Sequence, residues 1–385
     1  MRVGIIYPVP EPLAPANWSG TPHGLASGLV GCGVDVVPIG VKIPHGLHEL
    51  VAILSRATGR RGAVADRMQV RQWARTRALK SALAQHPTLD AVIAMGTEMY
   101  DLAAVLEGSV PCATYDDGTL LQMYRDPNSD IRQSRFPQRH VARWIERQSA
   151  STRAATVCCV STNWAARSYE DDYGIPSGQL AVVGMGHRPR LAAPGVIRDW
   201  SRPRFLFVGV EWRRKNGASV VRAFEEVRKR VPEATLDLVG NHPEIDAPGV
   251  NGHGFLARGD ASAQLKLDRL YAAANCFVLP SKFDPSPIAY LEAASAGLPV
   301  IATSRGGAGE LINDGAIVVD PGDSKALVDA MLALADRSAA QSMGAAAARN
   351  AAASSWSDVA GRIVKALGLT SGPVRSGRTG EYSDV

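Results

Sequence analysis

At 385 residues, 46% hydrophobic and 21% charged, the chain carries more apolar mass than one core usually holds, so two globular domains are expected and disordered or fibrous classes are excluded. The net charge of +5 is concentrated: Arg56, Arg60, Arg61, Arg67, Arg71, Arg75, Arg77 and Lys80 accompany the single acid Asp66, and Arg132, Arg135, Arg139, Arg143 and Arg147 follow later. Lacking the aromatic interleaving of single-strand binders and any helix-turn-helix or finger spacing, these stretches exclude nucleic acid; a solvated helix face and peripheral contact with an anionic membrane or acidic acceptor remain.

The first predicted element is a buried strand over residues 3–7. Its surroundings have neither the apolar core nor the small-residue cleavage site of a signal peptide, and no apolar run approaches the ~18 residues of a membrane-crossing helix. A cytoplasmic protein is expected. The five cysteines, Cys32, Cys112, Cys158, Cys159 and Cys276, lie in apolar segments without metal spacing and read as reduced core residues. After the strand, Asn17-Trp18-Ser19-Gly20-Thr21-Pro22 leads into a helix over 23–33. There Gly20 permits close backbone approach, and Ser19 and Thr21 can donate and accept hydrogen bonds; a plain turn and cap is the alternative.

Strands over 35–39, 91–94, 112–115, 157–160 and 180–183 alternate with helices through 73–84 and 139–153. Strand-end loops carry Gly96-Thr97-Glu98 and Tyr115-Asp116-Asp117-Gly118-Thr119. Residues 184–204 lose periodicity, gain Pro, Gly and Arg, and read as a linker between domains at 1–190 and 204–355. The second series places strands at 205–210, 235–239, 276–279, 300–302 and 317–319, and helices at 217–231, 265–274 and from 287. Further helices span 325–335 and 349–367, broken at Trp356, before a tail over 371–385 that reads as disordered. Such alternation predicts an α/β protein with parallel sheets flanked by helices: two Rossmann-like domains facing a cleft, with ligands at the carboxyl ends of the strands.

Two segments carry chemistry. In residues 281–300, Asp284 occupies a Pro/Ser-rich loop, Pro287 suits a first helical position, and Glu292 follows in a helical stretch. The free N–H groups of Ile288 and Ala289 at such a helix start attract phosphate oxygens. Asp284 then suits sugar hydroxyls and Glu292 a ribose; the alternative is a capped surface helix. In Glu211-Trp212-Arg213-Arg214-Lys215-Asn216-Gly217, three consecutive cations sit in a strand-to-helix turn. Side-by-side like charges cost energy unless an anion such as a diphosphate meets them. No Asp-x-Asp pair or His cluster offers a divalent-metal ligand set.

These segments resemble the acid-x7-acid signature of retaining GT-B glycosyltransferases of the group 1, family 4-like class. Glu292, the turn through Ala293, Ala294, Ser295 and Ala296, and the exit Gly297-Leu298-Pro299-Val300 match it. Asp284 stands where the family usually has Glu, Pro287 and Asn216 where it has Gly, and Val210 where it has Arg. The resemblance implies a GT-B fold and metal-independent, retaining transfer from a nucleoside diphosphate sugar to a hydroxyl of a small molecule or glycan, with no cofactor besides that donor.

It also implies roles. Lys215 and Arg214, with Arg213 the other candidate, meet the leaving diphosphate; Asp284 holds the sugar; Asp117 orients the donor sugar or the acceptor. Ser286, Pro287, Ile288, Ala289 and Gly20 contact the donor, Glu292 its ribose, and Phe255 and Leu256, in a strand over 252–256, its base. Ser19, Thr21, Thr97 and Glu98 fall on the acceptor side, His187 and Glu310 are structural, and a last helix over 356–368 returns to the first domain. The departures at Asp284 and Val210 leave open a catalytically weak nucleotide-sugar-binding or partner protein on the same scaffold. A dehydrogenase is disfavoured, because no Gly-x-Gly-x-x-Gly follows the first strand.

Overall fold

The computed structural model describes residues 1–42, 68–106, 110–134, 136–190 and 195–369. The tail at 371–385, the basic residues Arg56 to Arg67, and Arg135 lie outside the described residues. The chain divides into two units, Met1–Gly184 with the segment that begins at Trp356, and Met185–Ser355.

In the first unit the elements run β1 (Arg2–Ile6), α1 (Thr21–Gly31), β2 (Asp35–Ile39), α2 (Gln69–Ala84), β3 (Ala91–Ala94), α3 (Leu102–Leu106), β4 (Cys112–Asp116), α4 (Leu120–Arg125), α5 (Asp130–Gln133), α6 (Gln138–Ala154), β5 (Val157–Val160), α7 (Asn163–Asp171) and β6 (Leu180–Val182). The strands form a parallel sheet in the order β2-β1-β3-β4-β5-β6. Every residue of β3, β4 and β5 is buried, as expected of strands covered on both faces, and this is why they read as unbroken apolar runs.

The second unit runs β7 (Arg204–Val208), α8 (Gly217–Arg230), β8 (Thr235–Val239), β9 (Val250–Gly252), α9 (Ala261–Ala273), β10 (Cys276–Val278), α10 (Ile288–Ser295), β11 (Val300–Thr303), β12 (Ala316–Val319), α11 (Ser324–Ala333) and α12 (Arg337–Ala351). Its parallel sheet has the order β12-β11-β10-β7-β8-β9. From β7 the chain builds outward through β8 to β9, then crosses to β10 on the other side. The strand order therefore reverses between β7 and β10.

Several elements differ from the sequence reading. The strand expected at 252–256 is β9, three residues ending at Gly252; Gly254 at φ 66° turns the chain away. Helix α12 begins at Arg337, twelve residues before the expected 349, because Asp336 caps it by accepting from Ala339 N–H at 2.8 Å; its Ala-rich sequence favours helix but shows no apolar period. In α2, Arg71 and Arg75 are 6% and 5% exposed because they share a face with Leu79 and Leu83, so only Arg77 and Lys80 fit a solvated basic face. Four of the cysteines are buried, Cys32 is half-buried, and none forms a disulfide. Among the described residues no helix is long and apolar enough to cross a membrane.

The last helix, α13 (Trp356–Ala366), packs in the first unit, where Val359, Ala360, Ile363 and Val364 join Val3, Ile5, Leu25 and Leu29 in one buried cluster. Gly24 and Gly28 of α1 make this possible. A Cβ on Gly24 would lie 2.1 Å from Trp356 Nε1, and one on Gly28 2.2 Å from the Trp356 carbonyl oxygen. Gly361, by contrast, is exposed and a Cβ there meets nothing within 4 Å. Urea unfolding should therefore separate the two glycines: Gly28→Ala is expected to destabilise by about 1–3 kcal/mol through overpacking against backbone, and Gly361→Ala to stabilise by about 0.5–1 kcal/mol.

Candidate functional site

Loops leaving the carboxyl ends of strands open a crevice where strand order reverses, and in the second unit those are the loops after β7 and β10. They interlock. Lys282 N–H donates to Arg214 O at 2.8 Å, and Asp284 N–H to Arg305 O at 3.3 Å, which brings in the loop after β11. Gly306 lies at φ 89°, and a Cβ there would sit 2.1 Å from Asp284 O, so no other residue lets the loops close. Asn216 lies at φ 62° before α8; among non-glycine residues Asn tolerates this left-handed geometry well, which explains its presence where Gly is usual. Beneath the loops, the buried Tyr290 hydroxyl donates to Leu279 O at 2.7 Å and accepts from Thr303 N–H at 2.9 Å. This fixes α10 under the ends of β10 and β11.

The cations turn inward in pairs. Lys215 Nζ donates to Asp284 Oδ2, which also accepts from Ser281 Oγ at 3.1 Å. Arg214 grips Glu211 with Nε at 3.1 Å and Nη2 at 2.6 Å, while its Nη1 donates to Phe283 O at 3.1 Å and lies 3.8 Å from Asp284 Oδ1. Arg213 is exposed. The like-charge cost read from the sequence is thus met within the protein by Glu211 and Asp284. Burial pulls the Lys215 ammonium below its ordinary range despite the opposing pull of Asp284. For Glu211, burial raises the carboxyl but Arg214 outweighs it and holds it low.

Four residues after Asp284, α10 starts. Pro287 is its cap at φ −70°, ψ 110°, one position earlier than the sequence reading placed it, and the first helical residues are Ile288 and Ala289, whose N–H groups precede the first helical turn. Ser286 is 6% exposed and its hydroxyl has no hydrogen-bond partner among the described residues.

One turn further along α10, Glu292, expected at a ribose, is 1% exposed and paired within the protein. Its Oε1 accepts from Arg258 Nη1 at 3.0 Å; its Oε2 accepts from Tyr271 OH at 3.4 Å and lies 3.2 Å from Arg190 Nη2. Burial alone raises this carboxyl, yet the two arginines bring it down to about 2. Arg190 and Arg258 are residues that motif reasoning missed. Arg190 lies in the expected linker but is 2% exposed, donates to Asp268 Oδ1 at 2.7 Å and Gln264 Oε1 at 3.1 Å, and stacks its guanidinium over Tyr271 at 5.2 Å. Nearby in the chain, His187 Nδ1 contacts the Ser354 carbonyl oxygen at 2.7 Å. The signal for Arg190 was a run of arginines in a segment with no helical face to solvate them.

Phe255 is 57% exposed and Leu256 half-buried. The loop that presents them is held by His242, whose Nε2 accepts from Gly254 N–H at 3.1 Å, so Nδ1 carries the proton and donates to Pro243 O at 2.8 Å.

The remaining expected residues lie in the first unit. Trp18, Ser19 and Gly20 take successive left-handed conformations at φ 38°, 56° and 86°, strained for the first two. Thr21 opens α1 with a buried hydroxyl that has no hydrogen-bond partner among the described residues. Thr97 and Glu98, expected on the acceptor side, lie in the short turn after β3 and are buried, at 0% and 7% exposure, and Thr97 Oγ1 donates to Asp116 Oδ2 at 3.4 Å. Tyr169 OH donates to the same oxygen at 3.3 Å. Asp116 is the fully enclosed acid here, its carboxyl pushed well up by burial and then by Glu98 and Asp117; Asp117, the residue singled out from sequence, is half-buried beside it.

Residues 202–337 match the family described as Glycosyl transferases group 1. The GDP-mannose-dependent alpha-(1-6)-phosphatidylinositol monomannoside mannosyltransferase of Mycolicibacterium smegmatis is 34% identical over 160 residues, 37% of this chain and 41% of that protein. Sucrose-phosphate synthase of Spinacia oleracea is 28% identical over 181 residues, 39% of this chain and 17% of the synthase. The chain thus spans less than half the length of these relatives. Among solved structures, the sucrose-phosphate synthase of Thermosynechococcus elongatus superimposes with a TM-score of 0.69 over 95% of this chain and 98% of its own, at 18% identity. The motif resemblance to group 1 glycosyltransferases and the GT-B, α/β fold class read from the sequence are both borne out.

The Glu292 pair makes stability depend on acid. Its carboxyl lies at about 2 when folded against an ordinary 4.5, so the unfolded chain takes up the proton first. The stabilisation, on the order of 3 kcal/mol, is complete above pH ~4.5 and lost as pH falls towards ~2. Glu292→Gln should lower the urea midpoint at pH 7 and narrow its difference from wild type as pH drops through that window. A difference independent of pH there contradicts the pairing.

Proposed function

We propose that this chain transfers a sugar from a nucleoside diphosphate sugar to an acceptor hydroxyl with retention at the anomeric carbon, side chains and a helix start meeting the charge of the leaving diphosphate in place of a metal ion. The observation that carries this reading is the convergence of Lys215, Asp284, the unpartnered Ser286 hydroxyl and the first amides of α10 where the strand order of the second unit reverses. A buried hydroxyl without a partner costs free energy that a ligand oxygen recovers. Helix-start amides favour an anion. The two Lys215 protons not committed to Asp284 are donors for phosphate oxygens.

In this reading the bond from the anomeric carbon to the diphosphate oxygen breaks, its electron pair leaves with the diphosphate, and the acceptor oxygen adds to the same face of the oxocarbenium-like sugar while its proton passes to the departing phosphate. Asp284 orients the sugar hydroxyls, and Arg214 holds Asp284 and the loop at Phe283. Asp117, Ser19 and Thr21 are the first-unit groups assigned to donor sugar or acceptor. Relatives that use GDP-mannose and others named for sucrose phosphate leave the base and sugar open.

A thermal-shift panel of UDP, GDP, ADP and TDP with their sugars should raise the melting temperature with one base. With that donor, Lys215→Ala is expected to lower turnover about 10²- to 10³-fold while the protein stays folded, since Arg214 remains beside Asp284; near-normal turnover refutes the assignment. Exhaustive EDTA treatment should leave turnover unchanged, and NMR of the product should show the donor's anomeric configuration. Binding without any donor consumption would favour the catalytically weak scaffold protein instead.

A further inference from the structure

The two arginines on Glu292 differ in one decisive respect. Arg190 has a side chain 1% exposed and is committed to Asp268, Gln264 and the Tyr271 ring. Arg258 is 33% exposed, and its bond to Glu292 Oε1 is the one polar contact it makes among the described residues. It rides on residues 253–259, a loop with glycines at 254 and 259 where an added Cβ meets nothing within 4 Å. Arg190 and Tyr271 close the other sides of the carboxylate, so a group arriving from solvent reaches Glu292 where Arg258 now sits.

Charge balance supplies the motive. Lys215 is matched by Asp284 and Arg214 by Glu211, while Glu292 and Asp268 face Arg190, Arg258 and, at 3.7 Å from Asp268, the half-exposed Arg188. A diphosphate arriving beside these pairs finds the helix start and, of the three consecutive cations, only the exposed Arg213 without an acid opposite it among the described residues. If uncharged hydroxyls replace Arg258 on Glu292, one full positive charge is released close by: Glu292 and Ile288 lie four residues, ~6 Å, apart along α10 and on one face of it.

We infer that Arg258 is a donor-binding residue that works by exchange: ribose hydroxyls take its place on Glu292, and the freed guanidinium pairs with the diphosphate at the start of α10. The inference rests on the donor site proposed above. Guanidinium meets phosphate oxygens in a fork, a strong and orienting contact.

The test compares wild type, Arg258→Ala, Arg258→Gln and Arg258→Lys in calorimetric binding of UDP, GDP, ADP and TDP, and of the matching uncharged nucleosides. For the base that binds, Arg258→Ala should weaken the nucleoside diphosphate about tenfold or more while the nucleoside binds as well as or better than to wild type. Arg258→Gln, which keeps a hydrogen-bond donor for Glu292 but no charge, should show the same loss of diphosphate affinity and serves if the alanine variant does not fold. Arg258→Lys should stay within a few-fold of wild type. In turnover, the donor KM should rise more than kcat falls. Parallel weakening of nucleoside and diphosphate, or no change in either, overturns the exchange while leaving the donor site standing. If wild type binds none of the four diphosphates, the proposed function itself fails and takes the exchange with it.

Discussion

The ion pair of Lys215 with Asp284 joins the loop after β7 to the loop after β10, across the point where the strand order of the second unit reverses. The rest of the site follows from it. Holding these side chains largely out of water demands that each charge find its partner, because an uncompensated buried ion costs several kcal/mol. The backbone therefore has to deliver both loops to one place, and it does so through Asn216 in a left-handed turn, Gly306 tucked under Asp284, and Tyr290 tying α10 to two strand ends. Rigidity here is a by-product of electrostatic satisfaction.

The same arrangement explains how a turn with three consecutive cations is accommodated. Glu211 and Asp284 neutralise two of them internally, and exposed Arg213 is left to solvent. A second ionic cluster, Arg190 and Arg258 with Glu292 and Asp268, lies one helical turn along α10, with Arg188 at its rim. The second unit thus presents polar groups that are already oriented, and orientation settled before ligand arrives is what makes electrostatic stabilisation effective.

Much of this was legible in the sequence, for identifiable reasons. Strands buried on both faces write themselves as unbroken apolar runs, so Ala91–Ala94 and Val157–Val160 were plain. The local order Asp284, Ser286, Pro287, Ile288 spells a loop and a helix start without any tertiary information. What stayed hidden depends on contacts distant along the chain. Arg190 looked like linker because its partners Gln264, Asp268 and Glu292 lie more than seventy residues away. Thr97 and Glu98 looked like exposed loop residues, yet both are buried. Asp116 and Asp117 are adjacent in sequence, and only packing tells the enclosed acid from the half-open one. Helix α12, rich in alanine, has propensity without periodicity.

The close seating of Trp356 on Gly24 and Gly28 has a bearing on how the molecule is made. The first unit is discontinuous, with its opening strand and helix emerging from the ribosome long before α13, and the second unit in between can complete its own core first. Until α13 arrives, Leu25, Leu29 and their neighbours lack the partner that covers them. An apolar surface therefore stays unfinished while the whole intervening second unit is synthesised, at elongation speeds of about 5–20 residues per second.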